Sequence, residues 1–161
     1  MNEATRAAAH ELRLERTIPA PCGAVFDAWT NPEVLRRWWA ANPGWDSPLA
    51  EVDLRVGGGY RLSMRDPETG DVHTVGGEYL EVSPPHRISY TWTWEGSDES
   101  AASSGSVVTV DFEEHDGATR VVLVHTGFGD EIEPQKHAHG WNGCLDNLTA
   151  RVFAVDRTSR S

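Results

Sequence analysis

Histidine is the side chain best suited to move protons near neutral pH, and three histidines of this chain could serve a site. His137 lies four residues before Trp141, and on a helix this spacing places the two side chains on one face. His139 is rotated by about 200° from His137 and is predicted to face solvent, so the two rings do not form a metal pair. His137 is therefore either a hydrogen-bonded structural residue or a polar group of a pocket. His125 shares a strand face with Leu123 and is predicted to be a partly buried structural histidine.

Motifs for nucleophilic or phosphate chemistry are weak. The chain contains neither G-x-S-x-G nor H-E-x-x-H. Cys22 stands at the predicted start of a helix, where the pKa of a thiol falls, but the sequence places no base beside it. The run Gly57-Gly58-Gly59 lacks the Gly-Lys-Ser/Thr ending of a phosphate-binding loop and predicts a bend in a sheet instead. We therefore predict no catalytic residue, no bound metal and no cofactor.

Aromatic residues are the other candidates for a site, because their large rings either fill a core or line a ligand cavity. The chain has seven tryptophans. Plain packing explains any one of them, whereas an apolar pocket would use several together. The predicted cavity walls are Trp29, Trp38, Trp39, Tyr60, Trp92 and Trp141. Hydrogen bonds that orient a ligand are predicted from His137 with Tyr79 or Tyr90.

Alternation of polar and apolar residues predicts an antiparallel meander over much of the chain. The first strand begins at Glu11 and ends at Ile18, before two prolines. After a segment rich in proline and glycine at 42–48, the alternation continues to Thr126, with 96–105 predicted to be a loop. The turns that divide it give about seven strands.

Helical patterns flank this meander. Two short helices are predicted after the first strand, one from Cys22 to Thr30 and one with Asn31 as N-cap and Pro32 at its first position. A final helix is predicted from Pro134 to about Asp156, because its apolar residues form one continuous face: Trp141, Leu145, Leu148, Val152 and Val155. Since that face needs a sheet to cover it, we predict an α+β fold in which a curved sheet wraps around the last helix.

Composition limits the classes of partner. The chain has 161 residues, with 14 Lys+Arg against 25 Asp+Glu, and a formal net charge of −11. This charge disfavours nucleic acid and anionic membrane surfaces, and no apolar run approaches the ~20 residues that cross a bilayer. We also expect no export signal in the first residues. Cys22 and Cys144 are far apart without a C-x-x-C motif, which favours free thiols and a cytoplasmic location.

Taken in order, several short motifs resemble one family. They are Ala20-Pro21, Val25 to Glu33, Trp38-Trp39, Asp53 to Gly58, Tyr90-Thr91-Trp92, Thr119 to Val121, His125, Gly140-Trp141 and Leu145 to Leu148. Together they resemble the bacterial homologues of the C-terminal domain of the activator of heat shock protein 90 ATPase, within the START/Bet v 1-like (SRPBCC) superfamily. The resemblance covers residues 11–155 and implies the helix-grip fold, in which a seven-stranded antiparallel sheet grips a long C-terminal helix. Many members of the superfamily hold hydrophobic small molecules in the cavity between the two.

These observations predict a single helix-grip domain over residues 11–156, with a disordered N-terminal tail over 1–10 and a C-terminal tail over 157–161. The expected function is binding of a small hydrophobic or amphipathic ligand between the sheet and the last helix, without a defined reaction. One alternative is a cyclase- or dehydratase-like enzyme that uses a cavity histidine or carboxylate. Another is a chaperone-associated interaction module, although the resemblance leaves no room for the activator's N-terminal domain and a chaperone partner is not expected. Whether the protein is a homodimer stays open.

Overall fold

A computed structural model describes residues 4–8, 11–42, 44–95, 106–127 and 133–153 of the chain. These residues form eight strands and three helices. The strands are β1 (Ala4–Ala8), β2 (Glu11–Ile18), β3 (Ala50–Val52), β4 (Gly59–Arg65), β5 (Val72–Ser83), β6 (Arg87–Trp94), β7 (Ser106–His115) and β8 (Ala118–Thr126). The helices are α1 (Cys22–Thr30), α2 (Pro32–Trp38) and α3 (Glu133–Arg151). The predicted loop at 96–105 and the predicted C-terminal tail lie outside the described residues.

All the strands belong to one antiparallel sheet with the order β1-β2-β8-β7-β6-β5-β4-β3. Strands β4 to β8 follow one another in space as they do in sequence, which is the predicted meander. The first predicted strand, β2, pairs with the last one, β8. Strand β2 therefore lies next to the last strand of the meander in the sheet. The prediction of a helix-grip α+β fold is confirmed.

One strand of the sheet was not expected. The sequence predicts a disordered tail over residues 1–10, whereas Ala4–Ala8 form β1 and pair with β2, from Ala4 opposite Glu15 to Ala8 opposite Glu11. The backbone of β2 has its other side on β8, so β1 supplies partners for N–H and C=O groups that would otherwise lie on an open edge. The sequence Ala-Thr-Arg-Ala-Ala carries no apolar alternation, which is why the pattern gave no strand there.

The glycine run 57–59 also differs from its prediction. Gly57 and Gly58 lie in the turn between β3 and β4 rather than at a bend within a strand, and Gly59 begins β4. Gly57 has φ of +85°, and a Cβ atom on Gly58 would lie 2.1 Å from the carbonyl oxygen of Asp53. Glycine is therefore required here by a tight turn.

The two short helices agree with the sequence prediction. The side chain of Asn31 accepts a hydrogen bond from the backbone N–H of Glu33 at 3.0 Å, and Pro32 occupies the first turn of α2. The indole of Trp38 is buried and donates to the carbonyl oxygen of Ala28 at 2.9 Å. This bond holds the two helices at a fixed angle where they meet.

Helix α3 crosses the concave face of the sheet and buries Leu145 and Leu148 against it. On one flank, the buried guanidinium of Arg16 on β2 donates to Asp146 at 2.9 Å and to Asn142 at 3.1 Å. The described part of α3 ends at Arg151, five residues before the predicted Asp156, and residues 154–161 lie outside the described residues.

The other flank of α3 lies against the segment that follows α2. Gly143 approaches this segment so closely that a Cβ atom there would lie 1.8 Å from the carbonyl oxygen of Ala41. The side-chain amide of Asn147 donates to the carbonyl oxygens of Ala40 at 2.9 Å and Asn42 at 3.1 Å. Helix α3 is thus held on both sides, and its N-terminal turns come to lie over β5 and β6.

Candidate ligand-binding site

A cavity of about 610 Å³ lies between the first turns of α3, the strands β4 to β6 and the segment after α2. Ligand cavities of proteins usually measure ~300–1,000 Å³, so this one has room for a small molecule. The described residues that line it are Ala41, Asn42, Trp45, Met64, Val72, His73, Thr74, Trp92, Trp94, Glu95, Lys136, His137, His139, Gly140 and Trp141. The rim carries exposed residues, among them Val72, His73, Lys136 and His139, and the deep wall is buried.

Tryptophans form most of the apolar wall. Trp92 and Trp94 are two residues apart on β6 and therefore lie on the same face of the strand. Their rings meet edge to face with centroids 5.4 Å apart. Trp141 of α3 packs on Trp92 with ring centroids 5.1 Å apart. At the rim, Trp45 stacks on His73 with ring centroids 5.9 Å apart and an angle of 15° between the planes. Such a wall suits a ligand with flat apolar surfaces.

Three of the nine predicted site residues line this cavity, namely Trp92, His137 and Trp141. Three other predicted wall residues, Trp29, Trp38 and Trp39, are buried in the core instead. Trp29 packs on Trp38 and on the back of Trp141, with ring centroids 5.1 Å and 6.2 Å apart. Trp39 contacts Trp92 from behind, with ring centroids 6.2 Å apart. These residues support the wall and do not form its surface.

The three predicted tyrosines also lie in the core. Tyr60, Tyr79 and Tyr90 form a cluster with ring centroids 5.0–5.9 Å apart. The hydroxyl of Tyr60 donates to the carbonyl oxygen of Thr91 at 2.6 Å, and that of Tyr90 accepts the indole N–H of Trp29 at 3.2 Å. Burial raises the pKa of all three phenols. None of the three tyrosines lines the cavity, whereas the prediction gave Tyr79 or Tyr90 the role of orienting a ligand there.

His137 combines the two roles that the sequence left open. It is buried, it lines the cavity, and its Nε2 accepts the indole N–H of Trp94 at 3.0 Å. An indole N–H can only donate, so the neutral imidazole of His137 carries its proton on Nδ1. The hydrogen bond also ties β6 to the first turns of α3 beside the cavity.

His125 lies behind His137, with ring centroids 5.2 Å apart, and is more deeply buried than the sequence predicted. Its Nδ1 accepts the indole N–H of Trp141 at 3.2 Å, and its Nε2 lies 3.0 Å from the hydroxyl oxygen of Ser106. Burial, together with the neighbouring His137, holds the pKa of His125 well below its ordinary value. The Ser106 hydroxyl is buried and donates to the carbonyl oxygen of Trp92 at 3.3 Å, so this serine and histidine form a structural network and not an exposed nucleophile.

Neither cysteine provides an activated thiolate. Cys144 is buried, and this burial raises the pKa of its thiol to about 12. Partial desolvation and a hydrogen bond with Glu114 raise the pKa of Cys22, the opposite of the shift that activation at a helix start would need. Among the described residues, no group of three or more histidines, cysteines and carboxylates could hold a metal ion.

The family model of the Activator of Hsp90 ATPase homolog 1-like proteins matches residues 19–152, a span that includes every described cavity residue. The chain belongs to this family. No curated protein matches the chain significantly in sequence.

Solved structures agree with the family assignment. A protein of Chromobacterium violaceum is 29% identical, with a TM-score of 0.79 over 91% of this chain and 99% of that chain. The AHSA1 protein of Silicibacter pomeroyi is 30% identical, with a TM-score of 0.74 over 87% of this chain and 95% of that chain. A Mycobacterium smegmatis protein at 22% identity, with a TM-score of 0.75 over 91% and 94% of the two chains, shares the fold.

The sequence patterns missed several residues of the cavity. Trp94 had a usable signal, because it continues the alternation of Trp92 on β6. Trp45 had none, since it stands in an aperiodic segment rich in proline and glycine. Lys136 and His139 lie on a different side of α3 from His137, and both reach the rim because the cavity opens around the end of the helix. None of the helices in the described ranges is both long and apolar enough to cross a membrane.

Proposed function

We propose that this protein binds a small, mainly apolar or amphipathic molecule in the cavity between its sheet and α3. The observation that carries the proposal is a cavity of about 610 Å³ with four tryptophans in its lining, Trp45, Trp92, Trp94 and Trp141. Burial of apolar surface drives binding in such sites, and aromatic side chains offer large rigid surfaces at a small cost in side-chain entropy.

The polar groups at the inner wall favour binding over catalysis. Both ring nitrogens of His125 are engaged, and Nε2 of His137 already accepts from Trp94. A cyclase or dehydratase would need a proton donor or acceptor within reach of the substrate. The one carboxylate among the described lining residues, Glu95, is held by Arg61 through two bonds of 2.8 Å and 3.0 Å. This arrangement supports a site that orients a ligand.

A neutral fluorescent probe tests the proposal. The fluorescence of N-phenyl-1-naphthylamine increases in apolar surroundings, and we expect the probe to bind the wild-type protein with such an increase. Thr74 lines the cavity on β5, so Thr74→Phe places a ring in the cavity and should weaken probe binding by at least tenfold. Thr17→Phe is the matched control, because Thr17 alternates with buried residues of β2 and does not line the cavity.

Two results would overturn the proposal. One is a wild-type protein that neither binds the probe nor retains a small molecule in native mass spectrometry after purification. The other is a Thr74→Phe variant that binds the probe as well as the wild type and the Thr17→Phe control do. When the free ligand concentration is 100 times its Kd, binding should also stabilise the fold by about 2.7 kcal/mol, which a thermal-shift measurement detects.

We further propose that the protein acts in the cytoplasm. Cys22 and Cys144 are both unpaired, as expected of a chain kept in a reducing compartment. Fractionation of cells that produce a tagged copy tests this location, and a periplasmic or secreted pool would contradict it.

A further inference from the structure

The rim of the cavity carries the only lysine of the whole sequence. Lys136 is the single lysine among 161 residues, and it lines the cavity from the first turn of α3. His139 follows three residues later, a spacing that makes the two side chains neighbours on a helix, and also lines the rim. His73 lies on β5 at the same rim, and either charge state of a histidine offers an N–H donor.

Negative charge at this rim is largely offset. Glu95 is the only acidic residue among the described residues that line the cavity, and the guanidinium of Arg61 binds both of its carboxylate oxygens. Arg61 is also within 3.5 Å of Glu51. Among the described residues that line the cavity, the charge of Glu95 is thus matched by Arg61, and the other ionisable groups are Lys136, His73, His137 and His139.

Lys136 lies in the first turn of α3. The N-terminal turn of a helix carries the positive end of the helix dipole, so carboxylates are preferred there and a lysine is not. Here the lysine places an ammonium group beside an apolar, tryptophan-lined cavity.

From this placement we infer that the ligand is an anion, specifically a carboxylic acid with an aromatic ring system. The ring system lies against Trp92, Trp94 and Trp141, and the carboxylate lies at the rim beside Lys136 and His139. Because the rim is exposed, the carboxylate keeps part of its hydration and the ion pair carries little desolvation cost. This inference rests on the proposed binding function and adds the chemical class of the ligand.

A pair of probes of the same shape tests the inference on the full chain. 2-Naphthoic acid and 2-naphthamide differ in charge, and binding of both is followed by quenching of tryptophan fluorescence at low salt. We expect the acid to bind about three- to tenfold more tightly than the amide, since exposed ion pairs have modest strength. High salt should reduce this ratio.

The lysine itself can be observed directly. Reductive methylation with ¹³C-formaldehyde labels Lys136 and the terminal amine and keeps the positive charge of the lysine. Only the acid should shift the Lys136 methyl signal strongly. Lys136→Gln should bring the acid-to-amide ratio close to one without weakening the amide, Lys136→Arg should retain it, and Arg87→Gln should leave it unchanged as a control for net charge.

The outcomes separate the two proposals. If N-phenyl-1-naphthylamine binds in the cavity but the acid and the amide bind equally, the anion inference is overturned and the binding function stands. A preference for the acid that survives in Lys136→Gln likewise overturns the role of Lys136. If none of the three probes binds, the anion inference fails, and the binding function fails with it when native mass spectrometry also finds no retained small molecule.

Discussion

The indole N–H of Trp94 donates to Nε2 of His137 across 3.0 Å, and this bond fixes which nitrogen of the histidine carries the proton. His125 receives the indole N–H of Trp141 on Nδ1 instead. We therefore expect opposite tautomers for two adjacent neutral rings, with the proton on Nδ1 in His137 and on Nε2 in His125. Long-range ¹H–¹⁵N correlation spectra near pH 7.5 distinguish these tautomers directly.

Removal of one donor provides the control for this prediction. Trp94→Phe keeps an aromatic ring but loses the N–H, so His137 should show a mixture of tautomers while His125 keeps its proton on Nε2. The same tautomer in both histidines of the wild-type protein would contradict the hydrogen bonds described above.

The pH dependence of stability should report the burial of His125. Its pKa lies well below the ordinary value of 6.5 in the folded protein, so the unfolded chain binds more protons than the folded chain as the pH falls below about 6.5. The contribution of His125 is fully present above that pH and is lost on acidification, by at most about 1.4 kcal/mol per pH unit. Urea denaturation at intervals from pH 7.5 to 5.0 measures the slope.

The contribution of His125 to stability is lost in a different pH range from the contributions of the ion-paired carboxylates. Ion pairing lowers the pKa of Glu15 and Glu95 from 4.5, so their contributions are lost only at lower pH. His125→Gln should therefore flatten the slope between pH 6.5 and 5.0. An unchanged slope in His125→Gln would mean that His125 binds its proton equally well in the folded and unfolded chains, which contradicts a lowered pKa.

Two glycines of α3 should respond in opposite directions to the same substitution. A Cβ atom at Gly140 would lie 3.9 Å from the side chain of Ala41, an ordinary contact, so Gly140→Ala should stabilise the fold by up to about 1 kcal/mol through helix propensity. A Cβ atom at Gly143 would lie 1.8 Å from the carbonyl oxygen of Ala41, so Gly143→Ala must push α3 away and should destabilise the fold by at least about 2 kcal/mol. Thermal melts of both variants measure the difference, and destabilisation of similar size in both would contradict the close approach at Gly143.

The tryptophans show how far sequence patterns predicted the site. Alternation on β6 and helical spacing on α3 correctly placed Trp92, His137 and Trp141 on inward faces, and those faces border the cavity. The same patterns could not tell how deeply α1 and α2 enter the concave side of the sheet. Since Trp29 packs against Trp141, one end of the interior is filled.

The remaining cavity lies at the other end of the interior, beside the start of α3, and its position depends on contacts between distant segments. Gly143 and Asn147 fix α3 to the segment after α2, and this contact brings Ala41 and Asn42 to the rim. No local period encodes such a contact. Strand and helix faces could therefore be predicted, whereas the position of the open volume could not.

The ion pair between Arg16 and Asp146 should contribute more to stability than the exposed ion pairs of the sheet. The side chain of Arg16 is 7% exposed and that of Asp146 is 71% exposed, so loss of the carboxylate leaves a buried guanidinium with a weaker partner set. Asp146→Asn should lower the free energy of unfolding by about 1.5 kcal/mol. The matched control is Glu113→Gln, which removes an ion pair with Arg120 whose side chains are 40% and 48% exposed, and it should cost only about 0.3 kcal/mol. Urea midpoints at pH 7 with unchanged m-values measure both costs, and equal losses would mean that Arg16 does not depend on Asp146 to hold α3 against β2.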